Sequence, residues 1–225
     1  MATHLDLEEQ EQLDALKHFW NKWGNLITWA LIAVLGAYAA WNGWQYWQRR
    51  QATLAAVLYD EVDRAAQAGD VTRVERALAD MKDKYGSTAY AAQAGLLGAK
   101  VLEEKGKPAE AKAALAWVAD KASDDGLRAV ARLRQASLLL GEKAYDEALK
   151  VLSGSFPAQY TALAADRRGD VLLQQGKREQ AVAEYGKAYQ GLTADSGDYR
   201  RLVGMKLNAL GIDPDAGGVK AGAAS

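Results

Sequence analysis

The sequence contains no cysteine, and both of its histidines, His4 and His18, lie near the N-terminus. A chain without thiols forms no disulfide, thiolate metal site or cysteine nucleophile. The scarcity of histidine also removes serine–histidine pairs and most transition-metal sites from the rest of the chain. The carboxylates are interleaved with lysines and arginines, which is typical of solvated helix faces, although a paired general acid and base stays an open alternative. No glycine motif typical of phosphate binding occurs, so we predict that the protein is not an enzyme and has no cofactor or metal site.

An excess of charge of one sign is absent as well. The chain has 28 lysines and arginines against 29 aspartates and glutamates, which gives a net charge of −1. Domains that bind nucleic acid usually carry a strong basic patch or a high isoelectric point. We therefore expect no nucleic-acid partner.

One stretch lacks charge altogether, since no charged residue lies between Lys22 and Arg49. A helix from Leu26 to Trp47 would be about 33 Å long at about 1.5 Å per residue, enough to cross a bilayer core of about 30 Å. Six of the seven tryptophans lie in or beside this stretch, and indole rings prefer the headgroup layers of a membrane. We therefore predict a single transmembrane helix, represented by Leu26, Trp29, Leu31, Gly36, Ala40, Trp44 and Trp47.

Other interpretations of this stretch stay open. A buried helix of a soluble protein can be equally apolar, and Ala37-Tyr38-Ala39 has the small-x-small form of a signal-peptide cleavage site. Small residues four apart, such as Gly36 and Ala40, favour close approach of a second membrane helix but are also common in any spanning helix. Two basic residues flank the stretch on each side, so the positive-inside rule does not decide its orientation.

After Arg50 the sequence turns uniformly helical, with alanine-rich amphipathic segments separated at short intervals by glycine or capping residues. No alternating strand pattern occurs, so we predict an all-α domain. The predicted helices are Ala52–Ala68, Val71–Lys84, Thr88–Glu104, Pro108–Lys121, Asp124–Leu140, Tyr145–Leu152, Thr161–Gln174, Arg178–Gln190 and Asp198–Leu210.

The breaks between these helices recur with a period. The alanines at 111, 148 and 181 follow similar turns at intervals of 37 and 33 residues, and another small residue stands twelve positions before each of them. Two helices that cross closely need small side chains at both contact points, and this spacing is the core of the tetratricopeptide repeat. The pairs are Ala99/Ala111, Ala136/Ala148 and Gly169/Ala181. The rest of the signature is weak, because Gly95, Arg132 and Ala165 occupy the usual tryptophan position and no proline closes the repeats; a fourth, degenerate hairpin has Val74 in the alanine slot.

Arrays of helical hairpins present a concave surface built from the first helix of each repeat. Projecting the repeat onto this chain gives a mixture of aliphatic residues and acids, which suits apolar or basic segments of polypeptide. The predicted protein-binding groove contains Gln93, Leu96, Lys100, Val130, Leu133, Ser137, Leu163, Asp166 and Asp170. The alternative is that several of its leucines only pack the array. We expect no capture of C-terminal carboxylates, since the lysine and asparagine pairs that clamp them are missing.

These observations divide the chain into a leader (1–24), a transmembrane helix (25–48), a tetratricopeptide-repeat-like domain (49–212) and a glycine-rich tail (213–225). The leader either forms a helix on a membrane or partner protein or stays solvated and mobile. The tail, rich in glycine and small residues, is predicted to be disordered.

The order of these parts resembles a known family. An acidic leader ending in Leu13-Asp14-Ala15-Leu16-Lys17-His18-Phe19-Trp20 precedes a span closing with Gly43-Trp44-Gln45-Tyr46-Trp47, and a divergent repeat domain follows. Further matching stretches are Ala165-Asp166-Arg167-Arg168-Gly169-Asp170-Val171-Leu172-Leu173 and Met205-Lys206-Leu207-Asn208-Ala209-Leu210. In these motifs the chain resembles the YfgM-type ancillary subunits of the SecYEG translocon of Gram-negative bacteria, up to about Ile212.

The resemblance implies a place and a role. It implies a single-pass protein of the inner membrane, with the leader in the cytoplasm and the repeats in the periplasm. The implied partners are the SecYEG translocon and a membrane-anchored periplasmic chaperone of the peptidyl-prolyl isomerase type. The implied function is non-enzymatic help in handing secreted chains to periplasmic chaperones; the alternative is a cell-envelope scaffold or adaptor whose repeats bind one fixed partner.

Overall fold

The computed structural model describes residues 7–193 and 196–215, and over those residues the fold is entirely helical. The predicted all-α class is confirmed for this part of the chain. Predictions for residues 1–6 of the leader and 216–225 of the tail lie outside the described residues. The helices are α1 (Leu7–Gln67), α2 (Val71–Tyr85), α3 (Ala89–Glu104), α4 (Pro108–Lys121), α5 (Asp125–Gly141), α6 (Tyr145–Leu152), α7 (Ala158–Gln174), α8 (Arg178–Gly191) and α9 (Gly197–Ala209).

Two helix boundaries differ from the sequence prediction by more than one residue. Helix α7 starts at Ala158 instead of Thr161, because Pro157 at the N-cap, with φ −55° and ψ 149°, ends the preceding loop without any capping side chain. The segment predicted to start at Ala52 is not separate, since α1 continues through Arg49 and Arg50 without a break. Neither glycine nor proline occurs from Trp44 to Gln67, so nothing in that sequence stops a helix.

The chain divides into two compact units, residues 1–51 and 52–225. In the first unit, the large apolar side chains of α1 are exposed, for example Leu26 at 62% and Trp29 at 65%. Helix α1 contains a stretch that is long and apolar enough to cross a membrane, and only 6% of that stretch is buried. The alternative of a buried helix in a soluble core therefore does not describe this segment.

The second unit consists of helical hairpins whose predicted small residues are buried. The hairpins α3/α4, α5/α6 and α7/α8 each bury both members of their pair, with Ala111, Ala136, Ala148 and Ala181 at 0% exposure. The residue pair of the degenerate hairpin is Val62 and Val74, which are also fully buried. Large residues fill the space around the crossings, and all six predicted ones are buried: Leu102, Leu139, Leu172, Leu115, Leu152 and Tyr185.

Gly169 shows why a crossing point must be small. A Cβ atom built on Gly169 would lie 2.6 Å from two ring carbons of Tyr185, the large residue of α8. Real side chains essentially never approach so closely, so the tyrosine ring can pack here only against glycine. In this repeat, the space beside the first helix that a side chain would fill is therefore filled by an aromatic ring from the second helix.

The turns inside the hairpins share one backbone conformation. Five residues before each second-helix slot, the chain adopts a left-handed conformation at Gly69, Gly106, Lys143 and Gly176, with φ between 62° and 77°. In each turn the next residue donates a backbone hydrogen bond to the carbonyl five residues back, for example Lys107 N to Leu102 O at 2.8 Å. This pattern is a Schellman motif, which favours glycine at the left-handed position. Lys143 is the exception.

Replacing Lys143 with glycine should stabilise the protein. The left-handed conformation costs a residue with a Cβ about 1–2 kcal/mol. This cost exceeds the roughly 0.4–1 kcal/mol of additional chain entropy that glycine loses on folding. We expect Lys143→Gly to raise the free energy of unfolding by several tenths to about 1 kcal/mol, measured by urea denaturation. The reciprocal variant Gly176→Lys should lower it by about 1 kcal/mol. A change of the same sign in both variants would contradict this explanation.

Candidate functional site

The predicted groove residues lie on α3, α5 and α7, the first helices of the three hairpins. They differ in exposure: Gln93, Lys100 and Ser137 are exposed, Val130, Leu133, Leu163 and Asp170 are partly buried, and Leu96 and Asp166 are buried. Leu96 and Val130 pack with the larger hydrophobic cluster, and Leu133 packs against the cluster around Leu139. The alternative that some of these aliphatic residues pack the array therefore describes Leu96 best.

A side chain ties the first two of these helices together. Arg134 of α5 donates from Nη1 to the backbone carbonyl of Leu96 in α3 at 3.2 Å. Polar groups lie at the surface on the groove side of α3 and α5, where Lys100 makes a long, exposed ion pair of 3.8 Å with Glu104. Such a pair contributes little to stability, so the ammonium group is free to meet a partner.

The third helix is different, because its two acids are already bound within the fold. Helix α9 brings Lys206 Nζ to 2.8 Å from Asp166 Oδ1 and 2.6 Å from Asp170 Oδ1. Asp166 also accepts a hydrogen bond from Tyr199 Oη at 2.7 Å, and Asp170 accepts one from Tyr185 Oη at 2.8 Å. We refer to these five residues as the acid network. The structure therefore places Asp166 and Asp170 beneath α9 instead of on an open surface.

Burial controls the two tyrosines of the acid network. Loss of solvent is the largest cause that raises the pKa of Tyr185 and of Tyr199 above the ordinary value, and their hydrogen bonds to aspartates add to it. A phenol with a raised pKa stays neutral and keeps donating its proton. The carboxylates are thus held by two neutral donors and one ammonium group, and Asp170 also accepts a hydrogen bond from Arg167 Nη1 at 3.2 Å.

Sequence reasoning missed the α9 half of the acid network. Tyr199 and Lys206 are seven residues apart and share one face of their helix, while Asp166 and Asp170 are four apart on α7. These spacings give each helix a polar stripe inside an otherwise apolar face, which is a detectable signal. They do not reveal that the two stripes meet.

The exposed part of this arrangement is a surface that can bind a partner. Among the described residues, no group of three or more histidine, cysteine, aspartate or glutamate side chains is placed to hold a metal ion. The accessible groove side consists of Gln93, Lys100 and Ser137 with the aliphatic edges of Leu133 and Leu163. Such a surface can hold polypeptide by apolar contact and hydrogen bonds.

Comparison with known proteins decides the family. Residues 17–212 match the family described as "tetratricopeptide repeat-like domain". A protein of Neisseria gonorrhoeae named "ancillary SecYEG translocon subunit" is 32% identical over 211 residues, which cover 93% of this chain and all of the relative. The chain belongs to the ancillary SecYEG translocon subunit family. The family expected from the sequence motifs is thereby confirmed.

Other members of the ancillary SecYEG translocon subunit family agree over the same length. The Escherichia coli relative of that name is 29% identical over 91% of this chain and 97% of its own length. The Haemophilus influenzae relative of that name is 26% identical over 91% of this chain and 98% of its own length. No solved structure gives a significant match.

Removing the ammonium group of the acid network should destabilise the repeat domain. In Lys206→Met, Asp166, whose side chain is 1% exposed, would lose its only cationic partner within the described chain. Leaving a buried carboxylate without its counter-charge costs about 3 kcal/mol, so we expect a fall of that size in the free energy of unfolding, measured by urea denaturation.

Arg201→Met is the matched control on the same helix. Arg201 pairs with Asp198, but both side chains are largely solvent-exposed, at 72% and 97%. Its loss should cost under about 1 kcal/mol. Equal effects of the two variants would show that Lys206 contributes no more than a surface charge.

Stability should fall in alkali because of Tyr185 and Tyr199. Their folded pKa values are raised above the unfolded value of about 10, so the stability that they contribute is complete below that pH and is lost as pH rises through the folded pKa. The loss is at most about 1.4 kcal/mol per pH unit for each tyrosine. Urea denaturation from about pH 8 to about pH 11 should show a shallower decline in the variant Tyr185→Phe/Tyr199→Phe, whereas parallel declines would refute this origin.

Proposed function

We propose that the protein is a non-enzymatic, membrane-anchored interaction subunit of the SecYEG translocon that helps secreted chains pass to periplasmic chaperones. The observation that supports this most directly is the combination in one chain of an exposed apolar helix of spanning length and an array of helical hairpins. The relatives named as ancillary SecYEG translocon subunits have the same extent. An anchor of this kind raises the local concentration of a binding surface near its partners.

The proposed arrangement puts residues 1–24 in the cytoplasm, 25–48 in the inner membrane and 49–212 in the periplasm, with 213–225 as a tail. The exposed aromatic residues near the ends of the span, including Trp20 and Trp44, suit the two headgroup layers. The proposed membrane-embedded contacts with SecYEG use the face that contains Gly36 and Ala40, since a Cβ added at Gly36 would meet nothing within 4 Å in the described chain.

The proposed partner surface for chains and chaperones is the groove side of α3 and α5, with Leu163 of α7. The exposed Gln93, Lys100 and Ser137 supply hydrogen bonds, and Leu133 and Val130 supply apolar contact. A membrane-anchored chaperone of the peptidyl-prolyl isomerase type and nascent secreted polypeptides are the proposed occupants. Asp166 and Asp170 contribute by holding α9 and not by direct contact, because their carboxylates are bound within the acid network.

The proposed orientation can be tested with single cysteines, because the natural chain has none. Lys17→Cys and Glu103→Cys replace exposed residues on the two sides of the proposed span. In intact spheroplasts, a membrane-impermeant maleimide should label Glu103→Cys at once and Lys17→Cys only after detergent is added. Labelling of Lys17→Cys alone before detergent would overturn the proposed periplasmic location of the repeats.

The proposed partners can be tested by photocrosslinking in cells. A photoreactive residue at Ser137, exposed on the groove side of α5, should capture secreted chains during export together with a periplasmic chaperone. Gln180, exposed on the second helix α8, is the matched control position and should capture neither. Identical products from both positions would contradict a role for the groove.

The adaptor alternative makes a different prediction from the same experiment. The acid network engages Asp166 and Asp170 within the fold, which leaves a smaller surface that suits one fixed partner as well as many chains. Capture of a single envelope protein at Ser137, in the same amount with export blocked, would favour the adaptor over a transfer role.

A further inference from the structure

The second hairpin is incomplete. Its second helix, α6, has 8 residues, whereas the second helices α4 and α8 of the neighbouring hairpins each have 14. Helix α6 starts in register with the other two, so the missing part is its C-terminal end. Six residues of helix correspond to about 9 Å, or nearly two turns.

The residue that would pack against the missing turns is also unusual. Arg132 stands at the position where a tetratricopeptide repeat usually has tryptophan, and it donates from Nη1 to the backbone carbonyl of Ser155 at 3.0 Å. In the preceding repeat the same position is Gly95, where an added Cβ would lie 2.5 Å from Val118 of α4. Val118 and Ser155 occupy equivalent positions, seven residues after Ala111 and Ala148. The contact between two helices at Gly95 and Val118 is therefore replaced, in the next repeat, by a contact between Arg132 and a loop.

The missing turns leave an open groove between α4 and α6, with α5 as its floor. The groove has a volume of about 1040 Å³ and continues into a neighbouring recess of about 490 Å³ that also contains Arg132. Three alanines of α4, at 113, 116 and 119, form one wall, and Leu139 and Val151 add apolar surface. Small side chains on a helix let a second helix approach closely, so this wall suits a helix better than a bulky or flat ligand.

This groove is separate from the proposed partner surface of the preceding section. Its floor residues on α5 are Arg132, Gln135 and Leu139, whereas the groove side of α5 is represented by Leu133 and Ser137. Residues two positions apart on a helix point about 200° apart. The two surfaces are therefore on opposite sides of α5.

The charges around the groove favour an acidic occupant. Lys112 and Asp120 lie at its edge but are already paired, with Glu142 at 2.6 Å and Lys121 at 2.9 Å. Among the described residues, no carboxylate lies within ion-pair distance of Lys150 or of Arg132, while Glu147 is the lining acid without a cationic partner. Two uncompensated cations against one acid leave the groove with a net positive charge.

We propose that the α4–α6 groove is a second docking site, which binds a short amphipathic helix of a partner protein in the place of the missing turns of α6. The occupying helix has small apolar residues on one face, against the alanines of α4, and carboxylates beside that face, near Arg132 and Lys150. Its carboxylate groups form charge-assisted hydrogen bonds with the two cations. The site is independent of the proposed function, since it uses neither the span nor the groove side of α5.

Two synthetic helical peptides of about 14 residues, the length of α4, test the proposal. Both carry alanine and leucine on one face, and beside it one has a row of glutamates and the other a row of lysines. Fluorescence anisotropy with the full chain in detergent should show that the glutamate peptide binds at least about tenfold more tightly. Lys150→Gln, which changes an exposed side chain, should remove most of that difference.

A steric variant separates the groove from the rest of the surface. Ala116→Trp fills the groove from an exposed position of α4 and should abolish binding, whereas Ala109→Trp, the same change at an exposed position of α4 outside the groove lining, should leave it unchanged. Equal binding of both peptides, binding that survives Ala116→Trp, or no binding up to about 1 mM would overturn the proposal. A dimer of the full chain that Ala116→Trp dissociates in sedimentation velocity would overturn it in favour of a second copy as occupant.

Discussion

The close crossing of two helices in each hairpin is the constraint on which the repeat domain depends. Ala111, Ala148 and Ala181 are at 0% exposure, so a longer side chain at any of these three positions would have to displace its neighbours. The position of the crossing also fixes the turn, because the left-handed residue always lies five positions earlier. Backbone contact at one point therefore determines where the leucines around it must pack. At Gly169 even an alanine would be too large, because a ring from the opposite helix occupies the space of its Cβ atom.

Most of the fold was predictable because its signals are local. Helix ends follow from glycines and capping residues, such as Thr88 and Asp124, whose side chains accept hydrogen bonds from the first turns of α3 and α5. The start of α7 was missed because Pro157 begins it by fixing its own φ, without a polar cap. The continuity of α1 was missed because Arg49 and Arg50 end an apolar stretch but are good helix formers. Charge marks the end of a span and does not mark the end of a helix.

The candidate site was predictable only as far as the repeat register reaches. That register indicates which positions of α3, α5 and α7 share one side, but it contains no information about α9, which follows the last repeat. The ion pair between Asp166 and Lys206 joins residues 40 positions apart, and nothing in either helix specifies the other as its partner. From the sequence alone, the two acids are therefore interpreted as part of an open, negatively charged surface. The fold instead uses them to fasten its final helix.

The second repeat shows why departures from a repeat pattern carry information of their own. Each repeat contacts mainly its neighbours, so six residues can be missing from α6 without displacing the helices of the other hairpins. Arginine at the tryptophan position would be costly beneath a complete helix, because a guanidinium buried against apolar turns loses its hydration. Beside a shortened helix, Arg132 keeps solvent and a backbone carbonyl as partners. The short helix and the arginine are therefore one adaptation, since either change without the other leaves a void or a buried charge.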